Sequence, residues 1–335
     1  MSILRIATSP AELDLQGGTY STNTSYYDPT RTRGVFKHGQ LETSSLSFPP
    51  AAGTITWLHF RFAVTRDTAN PSFWGNTAAD GVVFEFRDSA SRRMLLGRIV
   101  PTMQLEIMAD DGAGSLLRAN ISTPSNDLVF SIDVKLEISG GNVIVESYYN
   151  SALQGTATLS NAGGVTNPDR MYFGTFEADT GSGTPGSSWF GEIVIADEDT
   201  RGFRLRELKP QSFGVFQQWD GTVASVADNS LATGVSTDVN GERVSFGLDN
   251  LENVNSGDIV NRVVAQTYAQ RGPTGLTQFA HFFRYSDTTV QVGPSIAVNT
   301  IGAWYMDEYV NNPDTGVAWV PADLAGIQIG LEAQT

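Results

Sequence analysis

The chain has 335 residues, with 36 acidic against 21 basic side chains and a formal net charge of −15. That balance argues against general binding to nucleic acid or to an anionic membrane surface. It holds no cysteine, so disulfides, thiol nucleophiles and thiolate metal sites are excluded.

The 34 glycines and a charged fraction of only 17% favour a turn-rich all-β protein over a helical one. The opening Met1-Ser2-Ile3-Leu4-Arg5-Ile6 lacks the layout of a signal peptide, and no apolar run is long enough to span a bilayer. A chain made in a cytoplasm and not inserted into a membrane is therefore expected.

In chain order, residues 1–50 hold short apolar pieces broken by Ser, Thr, Gly and Pro, with turn signals at Asp28-Pro29 and Phe48-Pro49-Pro50. The first clear strand is 55–64, where Leu58, Phe60, Phe62 and Val64 alternate with His59, Arg61 and Ala63. Residues 81–88 repeat the pattern with Val82, Phe84 and Phe86. Residues 95–100 and 103–108 form a hairpin pair around Pro101, followed by a turn at Asp110-Asp111-Gly112-Ala113-Gly114.

The strongest hairpin spans 131–149. Ile132, Val134, Leu136 and Ile138 make one stripe, and Ser139-Gly140-Gly141-Asn142 supplies residues that tolerate positive φ. Asn150 to Gly155 turns again before a strand at 156–159, and 171–176 is a further buried-strand candidate. Phe190, Ile193, Val194 and Ile195 suit a ladder, which the repelling carboxylates of Asp197-Glu198-Asp199 end. Arg201-Gly202-Phe203-Arg204-Leu205-Arg206 follows with an alternation of its own, stopped by Pro210.

A second β-region then opens at Trp219-Asp220-Gly221-Thr222, with strands expected at 245–248, 259–265, 281–284, 289–293 and 302–306. Asn311 to Gly316 is a turn, and 320–330 reads as one short helix with Pro321 in its first turn, followed by a terminal strand. The expected architecture is all-β: an N-terminal jelly-roll β-sandwich over 1–208 and a smaller β-rich domain with one short helix over 209–335.

Several of these segments are familiar. The 131–159 hairpin with its Asn150-x-x-x-x-Gly155 turn resembles the laminin-G-like, concanavalin-A-like jelly roll. Tyr172-Phe173-Gly174 and Glu192-Ile193-Val194-Ile195-Ala196-Asp197-Glu198-Asp199-Thr200-Arg201-Gly202 resemble lectin-like domains of tailed-bacteriophage virion proteins. Asn312-Pro313-Asp314-Thr315-Gly316-Val317-Ala318-Trp319, with Ala322-Asp323-Leu324 and Gly330, is similar to the endings of phage tail-associated proteins. The departure is Val320-Pro321, where those endings carry a hydroxyl residue and no proline.

The resemblance implies a virion structural protein, tail-associated or an exposed accessory. It implies other virion proteins as partners, a homo-oligomeric state and contact with host-surface glycan. Capsid decoration without a ligand is the alternative, and a polysaccharide depolymerase is a further one.

Catalysis on a jelly roll needs two carboxylates facing one cleft. Glu192 and Asp197 are five apart and fall on opposite strand faces, and Asp197 with Asp199 lies where the strand ends. No catalytic pair is read, and the chain is expected not to be an enzyme.

Calcium is the one candidate cofactor, with Asp110 and Asp111 as ligand candidates, although their spacing is not that of an EF-hand loop. His38, His59 and His281 are isolated in sequence and support no zinc or catalytic role. For a glycan, Trp74, Asn76 and Asp80 in the long 66–80 loop are the candidate binding residues. Trp57, Trp304 and Trp319 are assigned to the core.

Overall fold

The computed structural model describes residues 2–8, 12–15, 18–39, 42–65, 81–99, 105–119, 129–174, 187–228, 230–249, 254–273, 275–286 and 288–335. Its contacts divide the chain into two compact units, Met1–Arg206 and Glu207–Thr335.

The first unit is a β-sandwich. Its strands are β1 (Ile3–Ala7), β2 (Asp14–Leu15), β3 (Thr19–Ser21), β4 (Val35–His38), β5 (Thr43–Ser47), β6 (Ile55–Thr65), β7 (Gly81–Arg87) and β8 (Arg93–Ile99). They continue as β9 (Leu105–Asp110), β10 (Leu116–Arg118), β11 (Phe130–Ser139), β12 (Asn142–Tyr149), β13 (Ala152–Ser160), β14 (Arg170–Gly174) and β15 (Ser187–Ala196). One sheet runs β13-β12-β11-β6-β15-β4-β3, with β1 also on β15; the other runs β10-β9-β8-β7-β14-β5-β2. All pairings are antiparallel among the described residues.

Alternation decides what lies between the sheets. Leu58, Phe60 and Phe62 from β6, Ile132, Val134 and Leu136 from β11, and Val143 and Val145 from β12 meet Phe84, Phe86, Leu95, Ile107, Met171 and Phe173 from the other sheet. Phe60, Phe62, Phe84, Phe173 and Phe190 form a chain of tilted and edge-on ring contacts with centroids 5.0–6.0 Å apart. The β11–β12 hairpin closes on Gly140 and Gly141 at φ of 58° and 75°, a backbone that glycine adopts without steric cost.

Simple alternation fails at one place in β15. Phe190 and Ile193 both enter the core although they are three apart. The pairing with β6 slips between Gly191 and Val194, and Glu192 sits at φ of 50°. A β-bulge of this kind inserts a residue and turns the strand over.

Residues 201–206, whose sequence alternates, form no strand: β15 ends at Ala196 and, among the described residues, no strand follows before β16. Among the described residues five strands also precede 55–64, in a region where the sequence showed only fragments.

The second unit contains β16 (Pro210–Gln217), a four-residue helix α1 (Ala224–Ala227), β17 (Arg243–Leu248), β18 (Val263–Ala269), β19 (Gln278–Arg284), β20 (Val290–Val292), β21 (Ile296–Ala297), β22 (Ala303–Tyr309) and β23 (Gln328–Gln334). Six of these strands form a sheet ordered β16-β17-β23-β19-β20 with β21 on β19, and β18 and β22 form a separate ribbon. Residues 259–262, expected in a strand, precede β18, and Ile259 is among the most exposed apolar side chains.

Phe283, Tyr285, Trp319, Leu324 and Ile327 form one core cluster of this unit, and Val244, Phe246, Phe279 and Phe282 are buried as well. Trp57 and Trp319 are buried as expected, but Trp304 is only half-buried. The expected helix is a single 3₁₀ turn, Pro321–Leu324, in which the Asp323 carboxylate accepts from the Val320 backbone N–H at 3.0 Å. Among the described residues no helix is long and apolar enough to cross a membrane.

Candidate functional site

The outer face of the seven-stranded sheet in the first unit gathers the most chemistry. Phe84 and Phe86 on β7, Leu95 and Ile99 on β8, Leu105, Ile107 and Ala109 on β9, and Met171 and Phe173 on β14 point into the core. Their alternates therefore face the other way: Glu85 and Arg87; Leu96 and Arg98; Glu106, Met108 and Asp110; Arg170 and Tyr172. Val82, expected on the same face as Phe84 and Phe86, lies on this one instead, because the β7–β8 register slips between Val82 and Phe84; with Leu96 and Met108 it forms a small apolar floor.

The polar groups on that floor are layered. Glu85 and Glu106 are 2% and 4% exposed, whereas the arginine side chains above them are 21–48% exposed. Glu85 pairs with Arg87 and, at 3.6 Å, with Arg93. Arg93 Nε donates to Asp110 Oδ2 at 2.7 Å, and Arg98 Nε donates to Glu106 Oε2 at 2.9 Å. Arg118 pairs with the other oxygen of Glu106.

Register brings like charges together. Arg170 lies directly opposite Arg87, and Arg87 directly opposite Arg93, so three guanidinium-bearing residues form one row across β14, β7 and β8. The Arg87 guanidinium lies 5.0 Å from the centre of the Tyr172 ring, and Arg170 Nη1 donates to the Tyr172 hydroxyl at 3.3 Å. Planar donors beside an aromatic ring are what a sugar ring with charged or hydroxyl substituents can stack on and bond to.

The residues singled out from sequence fare differently. Trp74, Asn76 and Asp80 lie outside the described residues. Asp110 and Asp111 do sit in a turn, but their carboxylates are engaged within it. Asp110 Oδ1 accepts from the Gly112 N–H at 2.8 Å, and Asp111 Oδ1 accepts from Ala113 and Ser115 N–H at 2.8 and 2.9 Å. Those backbone bonds hold the Asp111 carboxyl below its ordinary pKa. Among the described residues no group of three or more His, Asp or Glu is arranged to hold a metal ion.

Glu192 is 1% exposed and sealed by Arg31 and Arg61 at 3.2 and 3.1 Å, and the Asp197 carboxylate accepts the Ser2 backbone N–H.

Two histidines that look isolated in sequence have carboxylate partners in space. His59 Nδ1–H donates to Asp133 Oδ1 at 2.9 Å, and the same oxygen accepts from Thr200 Oγ1 at 2.9 Å. His59 Nε2 and Asp133 Oδ2 are buried without a hydrogen-bond partner among the described residues. In the second unit His281 Nδ1–H donates to Asp307 Oδ2 at 2.7 Å, which leaves Nε2 to accept from Thr267 Oγ1 at 2.9 Å. This chain ties the β18–β22 ribbon to β19, and His281 is fully buried. His38, between Phe173 and Phe190, bonds Ser44 Oγ through Nε2 at 2.7 Å, and burial lowers its pKa to about 4.

The arginine row went unrecognised because its parts lie on separate strands. The available signal was charge at the outward positions of strands whose inward positions are Phe, Leu and Met.

No protein-family model and no curated protein sequence matches the chain. Solved structures resemble it weakly. The botulinum neurotoxin serotype C1 binding domain aligns over 96% of this chain and 81% of its own at 10% identity, with a TM-score of 0.44. Alginate lyase A1-II′ aligns over 57% and 100% at 9% identity, with a TM-score of 0.37. The VIP36 exoplasmic/lumenal domain, in a Ca2+/mannose-bound form, aligns over 56% and 83% at 10% identity, with a TM-score of 0.36.

Proposed function

We propose that the chain is a glycan-binding component of a bacteriophage virion, assembled as a homo-oligomer with other virion proteins and contacting host-surface glycan without cleaving it. The observation that carries the glycan reading is the layered outer face of β14, β7, β8 and β9, where exposed guanidiniums and the Tyr172 ring stand over buried carboxylates. Every carboxylate on that face described above is paired with arginine, which suits binding better than acid–base work, where an acid of raised pKa is needed. The virion assignment rests on the sequence motifs at 192–202 and 312–319. Trp74, Asn76 and Asp80 belong to this proposal as further contact residues on sequence grounds.

A glycan array probed with the full chain, with Tyr172→Ala and with Trp74→Ala tests the binding reading. Selective binding weakened by Tyr172→Ala supports it, and binding untouched by that change removes this face as the site. Immunogold labelling of purified particles tests the location. Label at the tail agrees with host contact, label over the capsid agrees with decoration, and unlabelled particles with free chain overturn the virion assignment.

A further inference from the structure

We infer that β13 is a docking edge for a second copy of this chain: two β13 strands pair antiparallel across a two-fold axis at Thr158 and join two sheets into one. The inference rests on the homo-oligomeric part of the reading above and names the surface that makes the oligomer.

A sheet edge presents a row of open N–H and C=O groups that templates pairing with another chain, and proteins blunt such edges by keeping them short or charged. The other edges of the first unit follow that rule among the described residues. β2 and β3 are two and three residues long, β10 is three with Arg118, and β1 is five with Arg5. β13, from Ala152 to Ser160, is nine residues with no charge and no proline. It ends the eight-stranded sheet, and among the described residues no strand pairs with its far side.

Register decides which backbone groups are open. Residues 155–160 pair with 147–142 without a slip, the one irregularity lying between Ser147 and Tyr148. Asn161 N–H donates to the Gly141 carbonyl at 2.8 Å, and bonded and non-bonded pairs alternate along an antiparallel ladder. Gly155, Ala157 and Leu159 therefore bond to β12, while Thr156, Thr158 and Ser160 turn their N–H and C=O groups outward. An axis at Thr158 sets that residue opposite its own copy and Thr156 opposite Ser160. All three then bond across the junction, and their hydroxyl side chains meet.

Charge and apolar surface favour a copy of the chain as the occupant. Each molecule carries −15, so two copies repel over most of their surface and meet with least repulsion along a strand that holds no charge. Among the described residues the exposed large apolar side chains of the first unit are Leu116, Leu117 and Leu153. They stand on β10 and β13, the two edges that lie against each other, and a copy docked there shields them.

The test is sedimentation velocity of the full chain over a range of protein and salt concentrations, with one charged and two single-cysteine variants. The expected result is a monomer–dimer equilibrium that tightens with salt as the mutual repulsion is screened. Thr158→Lys puts like charges opposite each other on the axis and should weaken the dimer about tenfold or more. Its melting temperature under monomeric conditions should equal the parent's, because Thr158 is exposed. The chain holds no cysteine of its own, so introduced thiols report the register. Thr158→Cys should oxidise readily to a disulfide-linked dimer, with Cα atoms about 5.5 Å apart. Thr156→Cys, roughly 14 Å from its equivalent, should not.

A dimer that Thr158→Lys leaves intact, or equal cross-linking at the two positions, overturns the β13 junction and leaves the homo-oligomeric reading standing. A chain that is monomeric under every condition overturns both.

Discussion

The two outer faces of the first unit's sandwich make an instructive pair. On the eight-stranded sheet the chain covers its own outer face. Arg201 lies over the rings of Trp57 and Tyr148 at 5.5 and 4.8 Å, and Tyr26 stacks on Trp189 with centroids 4.0 Å apart. Glu192 is closed off by Arg31 and Arg61, and Asp133 is shared between His59 and Thr200. Aromatic area is buried and the carboxylates of Glu192 and Asp133 are each held by intramolecular partners, although His59 Nε2 and Asp133 Oδ2 have none among the described residues, so this face reads as structure.

On the seven-stranded sheet the order is inverted: carboxylates lie underneath and guanidiniums outermost. Both faces are rich in arginine. What separates them is whether the charged head is used to seal the fold or stands outermost at the surface.

Breaking the sealed face should have the largest effect. Glu192→Ala takes the carboxylate from Arg61 and leaves Arg31 with its Asp28 pair, and removing one partner of a buried pair costs about 3–5 kcal/mol. Urea denaturation should show a loss of about 3 kcal/mol, the low end because both arginines keep some solvent contact. A loss below about 1 kcal/mol would mean that Glu192 is not what holds them.

Between the two sheets, His38 sets a pH dependence of similar size. Burial takes its folded pKa from 6.5 to about 4, so below pH 6.5 the unfolded chain binds a proton that the folded chain refuses. Stability should therefore be full above about pH 6.5 and fall by about 3 kcal/mol as the pH drops toward 4. Urea midpoints across that range measure it. His38→Gln should remove this part of the slope, and an unchanged slope in the variant would assign it to other groups.

Smaller effects sharpen the contrast. Arg201→Ala strips the cover from Trp57 and Tyr148, and should cost about 0.5–1 kcal/mol, as exposed cation–π contacts do. Thermal melts with fluorescence detection would also show Trp57 becoming more accessible to a quencher. The smallest response is expected from calcium. With the Asp110 and Asp111 oxygens accepting from Arg93 and from backbone N–H groups, melting temperature should be the same in excess calcium and in chelator. A rise of several degrees in calcium would show that the turn opens to coordinate it.

The expected all-β class and most strands of the sandwich core follow from local chemistry. Period-2 alternation marks β6, β11 and, beyond the slip at Val82, β7, and Gly140-Gly141 marks the hairpin turn, because side-chain direction and positive φ are properties of a few adjacent residues. The carboxylates of Asp197-Glu198-Asp199 likewise follow directly on the end of β15.

Tertiary structure decided the rest, and in each case the reason is register between distant segments. The bulge at Glu192 brings Phe190 and Ile193 onto one face because β15 must match β6 and the core at once. Asp133 reaches His59 across the β6–β11 pairing, and Asp307 reaches His281 from the β18–β22 ribbon, so two histidines that look solitary along the chain are paired in space. The arginine row depends on the same thing: Arg170, Arg87 and Arg93 are far apart in sequence, and only the pairing of β14 with β7 and of β7 with β8 sets them side by side.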